Sequence, residues 1–368
     1  MPPLRVAVVG TGAFGRNHLR VYRELEVAQP QFVQLVALVD PITERRSSFA
    51  STYNIPAFAT VAELLAANLS LDAVSICVPT SHHAAVAEQL LLAGLDILIE
   101  KPFAATLAQA DHILALSQAQ DRIVAIGHLE RFNPAVTATL AALTHPMFFE
   151  SHRLSVFTPR SLDVDVVLDL MIHDLDIVLS LTNSPVREVR AVGLPILSHK
   201  TDIANVRIEF ESGCVANFTA SRVSTEQVRK LRLFQPHQYL SLDFARQELL
   251  TISVDPAVVA AAIAAAVTAT PATGSSPLPA PTAAAPTPLP TAHPSPSAHG
   301  EHPTAGLSLT KADIPKGEPL RLELEDFLNA VRTRTQPRVP AQAGREALAL
   351  ALSINDQIAA HAHRAGLL

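Results

Sequence analysis

A lysine at the end of a short apolar run is the first residue of this chain that could do chemistry. Lys101 follows Ile97-Leu98-Ile99, which predicts a buried strand, and it precedes Pro102, which restricts the backbone before it. An ammonium group held in this way can hydrogen-bond the oxygen of a reacting alcohol and favour an alkoxide-like transition state. A simpler interpretation is an ion pair between Lys101 and its neighbour Glu100.

An aspartate and a histidine four residues apart form a second candidate. Asp169 and His173 are predicted to share one face of a helix over 165–181, with Asp165 and Asp176 nearby. A carboxylate beside an imidazole can orient the ring and stabilise its protonated form, which suits a general base. Alcohol oxidation needs such a base, because the hydroxyl proton must leave as hydride moves to a nicotinamide. Two alternatives stay open: a solvated helical pair, and metal ligation, for which no third ligand with zinc spacing is seen.

A glycine-rich stretch near the N-terminus predicts a dinucleotide site. Gly10-Thr11-Gly12-Ala13-Phe14-Gly15 follows an apolar strand-like run over 6–9 and opens a helix predicted over 16–24. In such a motif the first glycine makes a tight turn, the second lets a pyrophosphate approach, and the third lets helix and strand pack closely. The helix N-terminus then offers N–H groups and a partial positive charge to the phosphates.

The acid after the second predicted strand bears on which dinucleotide binds. The apolar run 36–39 ends at Asp40, whose carboxylate can accept hydrogen bonds from both ribose hydroxyls and would repel a 2′-phosphate. NAD is therefore favoured over NADP, although Arg45 and Arg46 follow closely and weaken that preference. Alternatively, Asp40 only caps the turn that begins at Pro41.

The elements that must position these residues follow from the wider pattern. Strand-like and helix-like segments alternate over 4–125, which predicts an α/β fold with a doubly wound parallel sheet. Ligands of such sheets bind outside the carboxyl ends of the strands. The residues expected to contact the cofactor are Gly10, Gly12, Ala13, Phe14, Gly15, Asp40, Pro79, Thr80, His83, Glu100 and Lys101. His82-His83 is interpreted as a cap and part of the cofactor loop rather than as a pair of metal ligands.

The pattern changes after Gly127. Helices over 133–143 and 165–181 and a series of strands between 148 and 243 predict an α+β domain with a mostly antiparallel, open sheet. We therefore expect a Rossmann domain at 1–126 and a second, substrate-binding domain at 127–368. Ten of the 28 prolines lie between 271 and 303, among Ala, Thr and Ser, so 256–303 is predicted to be a disordered insertion. Two helices, from 320 and over 344–362, are expected after it.

Composition excludes several classes of protein. The chain has 368 residues, 48% of them hydrophobic and 17% charged, which suits a globular enzyme, and its net charge of −6 argues against a nucleic-acid-binding face. Cys77 and Cys214 lie in apolar runs and are predicted to be core residues. No signal-peptide pattern and no membrane-length apolar run is seen, so we expect a cytoplasmic protein without a membrane partner.

In combination and order, these motifs resemble the Gfo/Idh/MocA oxidoreductases. The motifs that carry the resemblance are Gly10-x-Gly12-x-x-Gly15, Asp40, Pro79-Thr80 with His82-His83, Glu100-Lys101-Pro102 and Asp169-x-x-x-His173. The resemblance implies NAD(P)-dependent oxidation of a sugar-like hydroxyl, with the family's catalytic lysine, aspartate and histidine at Lys101, Asp169 and His173. It also implies a homodimer or homotetramer formed largely through the open sheet. Met171-Ile172 departs from the glycine that many members carry before the histidine, which leaves the shape of the substrate in question.

Three further stretches resemble the UDP-N-acetylglucosamine 3-dehydrogenase branch of that family. They are GHLERFNP at 127–134, DLMIHD at 169–174 and VRKLRLFQ at 228–235. That branch prepares a 3-keto sugar nucleotide for transamination, towards a 3-amino sugar of lipid A. The substrate residues that the resemblance implies are Arg131, Asn133, Arg229 and His173. The cations Arg131, Arg229, Lys230 and Arg232 would suit a diphosphate, since the guanidinium fork matches phosphate oxygens. Alternatively, Arg229, Lys230 and Arg232 are only the exposed face of a strand.

Two other functions stay open on the sequence. The same fold and chemistry could act on another polyol, such as an inositol, a free sugar or a uronic-acid nucleotide. A non-catalytic NAD-sensing scaffold is the third hypothesis, and the intact set of Lys101, Asp169 and His173 argues against it.

Overall fold

Two β-sheets organise the chain. The computed structural model describes residues 2–158, 164–255 and 307–366, together with positions 257, 258, 260, 261 and 264. Apart from those five positions, the insertion predicted at 256–303 lies outside the described residues. The first sheet has six strands and the second has eight.

All strands of the first sheet are parallel, in the order β3-β2-β1-β4-β5-β6. The strands are β1 Leu4–Val9, β2 Val33–Val39, β3 Ala57–Phe58, β4 Ala73–Ile76, β5 Asp96–Glu100 and β6 Val124–Gly127. The helices between them are α1 Gly15–Ala28, α2 Thr43–Tyr53, α3 Val61–Ala66, α4 His83–Leu92 and α5 Leu107–Ala119. The predicted doubly wound α/β sheet is confirmed.

The first sheet is covered on both faces, which explains why its strands are continuous apolar runs. Along β1, Val6 and Val8 pack into one hydrophobic cluster and Ala7 and Val9 into another on the opposite face. Helix α1 lies in the first of these clusters, and α4 and α5 lie in the second. Each strand therefore buries side chains in both directions.

The second sheet is mixed, in the order β14-β13-β12-β11-β7-β10-β9-β8, with β7 and β10 parallel and all other neighbours antiparallel. Its strands are β7 Phe148–Val156, β8 Val186–Leu194, β9 Ile203–Phe210, β10 Val215–Ser224, β11 Val228–Gln235, β12 Gln238–Asp243, β13 Glu248–Val254 and β14 Leu307–Lys311. The remaining helices are α6 Pro134–Ala142, α7 Ile172–Thr182, α8 Pro319–Thr333 and α9 Ala341–Arg364. One face of this sheet packs on α6, α7 and α9, where the largest cluster of buried apolar residues lies.

The C-terminal helices do not follow the boundary expected at residue 126. Helix α8 buries Leu324, Phe327 and Leu328 in the same cluster as Leu19 and Tyr22 of α1, on the first sheet. Helix α9 contributes to the cores of both sheets. The second half of the chain thus returns to the Rossmann unit, because the apolar stripe of α8 is buried there. In the described part of the chain, no helix combines the length and apolarity needed to cross a bilayer.

Candidate active site

The loop between β1 and α1 is built on two glycines that nothing larger could replace. Gly10 has φ +87°, and a Cβ there would lie 2.7 Å from the carbonyl oxygen of Cys77. A Cβ on Gly15 would lie 1.8 Å from the carbonyl oxygen of Gly10. Gly12 differs, because a Cβ there would meet only the guanidinium of Arg45, at 3.7 Å. The space beside Gly12 is therefore what a pyrophosphate needs for close approach to the backbone.

Hydrogen-bond donors surround that space. In the described part of the chain, the backbone N–H groups of Ala13 and Phe14 have no recorded partner, and they precede the N-terminus of α1. A cleft of about 860 Å³ opens beside this loop. Of the predicted cofactor residues, Gly10, Gly12, Ala13, Asp40 and Pro79 line the cleft. These donors and this volume fit a dinucleotide.

Asp40 holds the rim of the cleft and is ionised. Its Oδ2 accepts hydrogen bonds from the N–H and hydroxyl of Thr11 at 2.9 and 2.7 Å, and its Oδ1 accepts from Ile42 N–H at 2.9 Å. Burial opposes ionisation, but these bonds and the nearby Arg45 lower the pKa of Asp40. Asp40 therefore caps the turn, as the alternative interpretation has it, and also presents a carboxylate to the cleft. Arg45 Nη1 lies 3.7 Å from that carboxylate.

His83 and Glu100 lie behind the cleft and do not line it. The ring nitrogens of His83 lie 3.0 Å from the carbonyl oxygens of Pro102 and Val78, and the side chain is buried. Glu100 accepts a 2.8 Å hydrogen bond from His18 Nε2. Both residues therefore hold the loops after β4 and β5, and the cofactor contact predicted for them stays a prediction. Thr80, Phe14 and Gly15 also lie outside the residues that line the cleft.

Lys101 turns towards the second unit. Its Nζ donates a 2.7 Å hydrogen bond to the carbonyl oxygen of Asp169 and lies 3.7 Å from Asp169 Oδ1. Burial lowers the pKa of Lys101, and the carboxylates of Asp169 and Glu100 oppose that shift. The ion pair with Glu100 that the sequence left open is not formed, since the Glu100 carboxylate binds His18. Lys101 and Asp169, which belong to separate motifs of the sequence, thus meet in the structure.

The segment that carries Asp169 is wider than the predicted α-helix. Residues Val167–Met171 form a π-helical turn in which Ile172 N–H donates to the carbonyl of Val167, five residues earlier. Asp165 caps the start of this turn through Oδ1, which accepts from Val167 and Leu168 N–H at 2.9 Å. Such widened turns recur at functional sites. The regular helix begins only at Ile172.

His173 stands at the start of α7 as a neutral imidazole. Burial, followed by the charges of Lys101 and Arg153, lowers the pKa of His173 well below its ordinary value. Its Nδ1 is buried without a partner, while Nε2 is not among the buried atoms, so Nε2 is the nitrogen open to a ligand. Among the described residues no hydrogen bond joins the carboxylate of Asp169 to this ring. Asp169 contacts Lys101, and the orienting role predicted for it stays a prediction.

A buried ion-pair network that the sequence did not reveal supports the first turn of α7. Arg153 of β7 donates to both carboxylate oxygens of Asp174 at 2.9 and 2.7 Å and to Glu130 at 3.2 Å. All three side chains are nearly inaccessible to solvent. Because Asp174 follows His173 directly, the network fixes where that imidazole stands. The one signal of this network in the sequence was the GHLERFNP stretch, which contains Glu130.

The predicted substrate cations are separated by the structure. Arg131 lies 3.8 Å from Asp176 and is mostly buried, and Arg232 is paired with Glu150 at 2.7 Å. Arg229 is exposed and forms no ion pair among the described residues. It lies on the same face of β11 as the buried Leu231 and Leu233, whereas Lys230 and Arg232 face the other way. Its charge also contributes to lowering the pKa of His173, so Arg229 is the cation near the site.

Asn133, for which substrate binding stays a prediction, has its side chain engaged within the fold. Its Oδ1 accepts from Ala135 N–H at 3.1 Å as the N-cap of α6, and its Nδ2 donates to Glu130 and to the carbonyl of Phe244. The side chain is buried, and every polar group of the amide has a partner. Asn133 thus stabilises the start of α6. In the part of the chain that the structure describes, no three His, Cys, Asp or Glu side chains gather as a metal site would require.

A Rossmann sheet with a glycine loop, an acid at the second strand and a dinucleotide-sized cleft place this chain among the NAD-binding oxidoreductases. Residues 4–128 match the model of the oxidoreductase family with an NAD-binding Rossmann fold, and 137–235 match the GFO/IDH/MocA C-terminal domain. The chain belongs to the Gfo/Idh/MocA family, as the motifs predicted, and it is an enzyme that oxidises or reduces its substrate.

Relatives differ in how much of the chain they share. UDP-N-acetylglucosamine 3-dehydrogenase of Acidithiobacillus ferrooxidans is 34% identical over 98% of this chain and 99% of its own length. The solved structure of that enzyme superposes with a TM-score of 0.79 and covers the same shares of the two chains. Inositol 2-dehydrogenase of Leifsonia xyli is 30% identical, over 51% of this chain and 56% of the relative.

Proposed function

We propose that the protein uses NAD to oxidise the C3 hydroxyl of a sugar nucleotide, with UDP-N-acetylglucosamine as the substrate to test first. The observation that carries the proposal is the meeting of Lys101 and Asp169 beside the neutral His173, with Arg229 as a nearby exposed cation. The full-length similarity to a UDP-N-acetylglucosamine 3-dehydrogenase supports it. Similarity to an inositol dehydrogenase covers only half of the chain, so a simple polyol is the second choice.

The residues of the chain divide the chemistry between them. His173 accepts the hydroxyl proton at Nε2, because burial and neighbouring cations keep the ring neutral and able to act as a base. Lys101, held by Asp169, donates a hydrogen bond to the substrate oxygen as negative charge develops on it. Arg229 binds the diphosphate through its guanidinium fork. NAD, when bound, supplies the hydride acceptor.

The cofactor would lie in the cleft beside the glycine loop. Gly12 leaves room for the pyrophosphate, and the N–H groups of Ala13 and Phe14 bind its oxygens. The ionised Asp40 binds the adenosine ribose and disfavours a 2′-phosphate, so NAD is the preferred dinucleotide.

The test follows absorbance at the NADH band with purified protein, NAD and UDP-N-acetylglucosamine. A transaminase and glutamate remove the unstable ketone and draw the reaction forward. We expect turnover with the natural protein and a loss of about 10²-fold to 10³-fold in Lys101→Met, because one donor to the developing oxyanion is removed. Lys230→Met, on the opposite face of β11, is the matched control and should behave like the natural protein.

Binding of NAD, measured by titration calorimetry, should be nearly the same in the natural protein and Lys101→Met. Turnover retained by Lys101→Met would exclude the role assigned to this lysine. Absent turnover in the natural protein with NAD bound would reject the sugar nucleotide. Turnover of inositol or a free sugar in the same assay would then establish the polyol alternative.

A further inference from the structure

Buried polar atoms without partners gather behind the candidate catalytic residues. His128 is buried, and neither of its ring nitrogens has a hydrogen-bond partner among the described residues. The same holds for His173 Nδ1 and Asp176 Oδ2. Leaving a buried polar group unpartnered is costly, so such groups usually bind ordered internal water. His128, His173 and Asp176 lie near one another, so a water molecule bound there would have several polar partners.

His128 faces His173 directly. The two rings are perpendicular, with centroids 6.4 Å apart, which leaves an edge of one ring towards the other. His128 follows β6, and His173 is the second residue of α7, so the two rings meet where the two units of the fold join. One water molecule between two imidazoles can accept a hydrogen bond from one and donate to the other.

The charges near the two rings differ. Burial lowers the pKa of His173 well below its ordinary value, and Lys101, Arg153, His128 and Arg229 add to that shift. Burial also lowers the pKa of His128, but there the carboxylates of Asp176 and Glu100 oppose the shift, against Lys101 and Arg131. A proton taken up by His173 is therefore disfavoured where it arrives. It is better compensated on His128, beside the carboxylate of Asp176.

We propose that His128 receives, through an internal water molecule, the proton that His173 must give up during turnover. This inference rests on the proposed function, which supplies the alcohol and the hydride acceptor. The substrate O–H bond breaks and its proton bonds to His173 Nε2, while hydride leaves the same carbon for NAD. His173 then releases its Nδ1 proton to the water, which protonates His128. When product leaves, the proton on His128 returns through the water to Nδ1, and the imidazolium of His173 then releases its Nε2 proton to solvent.

His128 acts on the reaction only through His173, so it is a positioning residue. It also holds a proton during turnover. The role requires that His173 rest in the neutral form with its proton on Nδ1, since Nε2 must be free to accept. That requirement can be examined without any substrate. Two-bond ¹H–¹⁵N correlation spectra of protein labelled at histidine report which ring nitrogen carries the proton.

The first test compares these spectra for the natural protein, His128→Phe and His361→Phe, with NAD bound. His361 is the matched control, because its Nδ1 is also buried without a partner, but it lies near the end of α9. We expect the Nδ1–H form of His173 in the natural protein and in His361→Phe, and a larger share of the Nε2–H form in His128→Phe. An Nε2–H form in the natural protein, or a tautomer that His128→Phe leaves unchanged, would overturn the proposal.

The second test measures turnover in H₂O and D₂O. In His128→Phe, kcat should fall about 10-fold to 100-fold with an unchanged KM, and the solvent isotope effect should increase. His128→Gln should not recover kcat, because its amide can hydrogen-bond the same water but cannot take up a proton, and His361→Phe should stay within about twofold. If kcat and the solvent isotope effect of His128→Phe equal those of the natural protein, the relay is refuted. If the natural protein turns over no substrate, the proposed function fails, and the spectra alone still decide the role of His128.

Discussion

The ammonium of Lys101 and the backbone carbonyl of Asp169 are joined by a hydrogen bond of 2.7 Å, while the Asp169 carboxylate stands 3.7 Å away. Lys101 belongs to the loop after β5, and Asp169 to the π-helical turn before α7. One aspartate thus contacts the lysine through both its main chain and its side chain. The contact fixes the lysine across the junction of the two units.

Asp169→Asn should move the alkaline limb of activity to lower pH. Lys101 must stay protonated to donate to the substrate oxygen, burial lowers its pKa, and the Asp169 carboxylate opposes that shift. Without the carboxylate the pKa falls further, so activity is lost earlier as pH rises. The measurement is kcat/KM against pH, with the exposed Asp111→Asn as control. An unmoved alkaline limb would show that Lys101 does not titrate in this range or is not required.

Asp40→Ser should change the cofactor preference. The substitution removes the carboxylate that we propose binds the ribose. Arg45, whose Nη1 lies 3.7 Å from that carboxylate, then becomes available to a 2′-phosphate. We expect the ratio of kcat/KM with NADP to that with NAD to rise about 10-fold or more. Glu44→Ala, in the first turn of α2, should leave the ratio unchanged, since Glu44 does not line the cleft. Equal ratios in Asp40→Ser and the natural protein would assign Asp40 to capping alone.

Arg229→Met and Arg232→Met should differ sharply although both remove a charge from β11. Arg229 lies on the face of the strand towards His173, and Arg232 is paired with Glu150 on the other face. KM for a sugar nucleotide should rise about 10-fold in Arg229→Met and little in Arg232→Met. The effect should shrink in high salt, as expected for a contact with a diphosphate. Equal effects of the two variants would show that β11 contributes only general charge.

Glu323→Gln should stabilise the fold at neutral pH. Glu323 of α8 is buried without a partner for either carboxylate oxygen among the described residues, and burial, followed by the charge of Glu100, raises its pKa well above 4.5. The unfolded chain ionises this group near pH 4.5, so folding at neutral pH must take up a proton, and stability falls as pH rises above 4.5. Glutamine removes that cost.

Thermal melting between pH 5 and 8 measures the effect. We expect Tm to be higher in Glu323→Gln by about 3 °C or more at pH 8, with a smaller difference at pH 5. The exposed Glu346→Gln serves as control and should melt like the natural protein. A lower Tm in Glu323→Gln would mean that the carboxyl group makes a favourable contact.

Local patterns were enough to predict the Rossmann sheet and the place of Lys101. The apolar runs of β1, β2, β4, β5 and β6 are buried on both faces, and such runs are recognisable without knowledge of their neighbours. Lys101 lies just beyond the carboxyl end of β5, and ligands of parallel sheets bind outside the carboxyl ends of the strands, so its place near a ligand could be predicted. The return of α8 to the first sheet could not be predicted, because an amphipathic stripe does not specify its partner.

The candidate site was harder to predict where it depends on contacts between distant residues. The spacing of Asp169 and His173 does not reveal that Ile172 N–H donates to the fifth residue back instead of the fourth. The pairing of Arg153 with Asp174 joins residues 21 positions apart, and that of His18 with Glu100 joins residues 82 apart. Buried charges of this kind have no local signature. For the same reason the sequence did not reveal that Asn133 caps α6 and donates a hydrogen bond to the buried Glu130.

The pairing of β13 with β14 sets Val254 opposite Leu307 at the edge of the second sheet. The chain thus leaves that edge and comes back to it at adjacent points, whatever number of residues it uses in between. Polypeptide can be lengthened, shortened or exchanged there while the spacing of the two strands stays the same. This position is therefore a natural site for attaching a reporter domain or an affinity handle, at the opposite end of the strand order from β8.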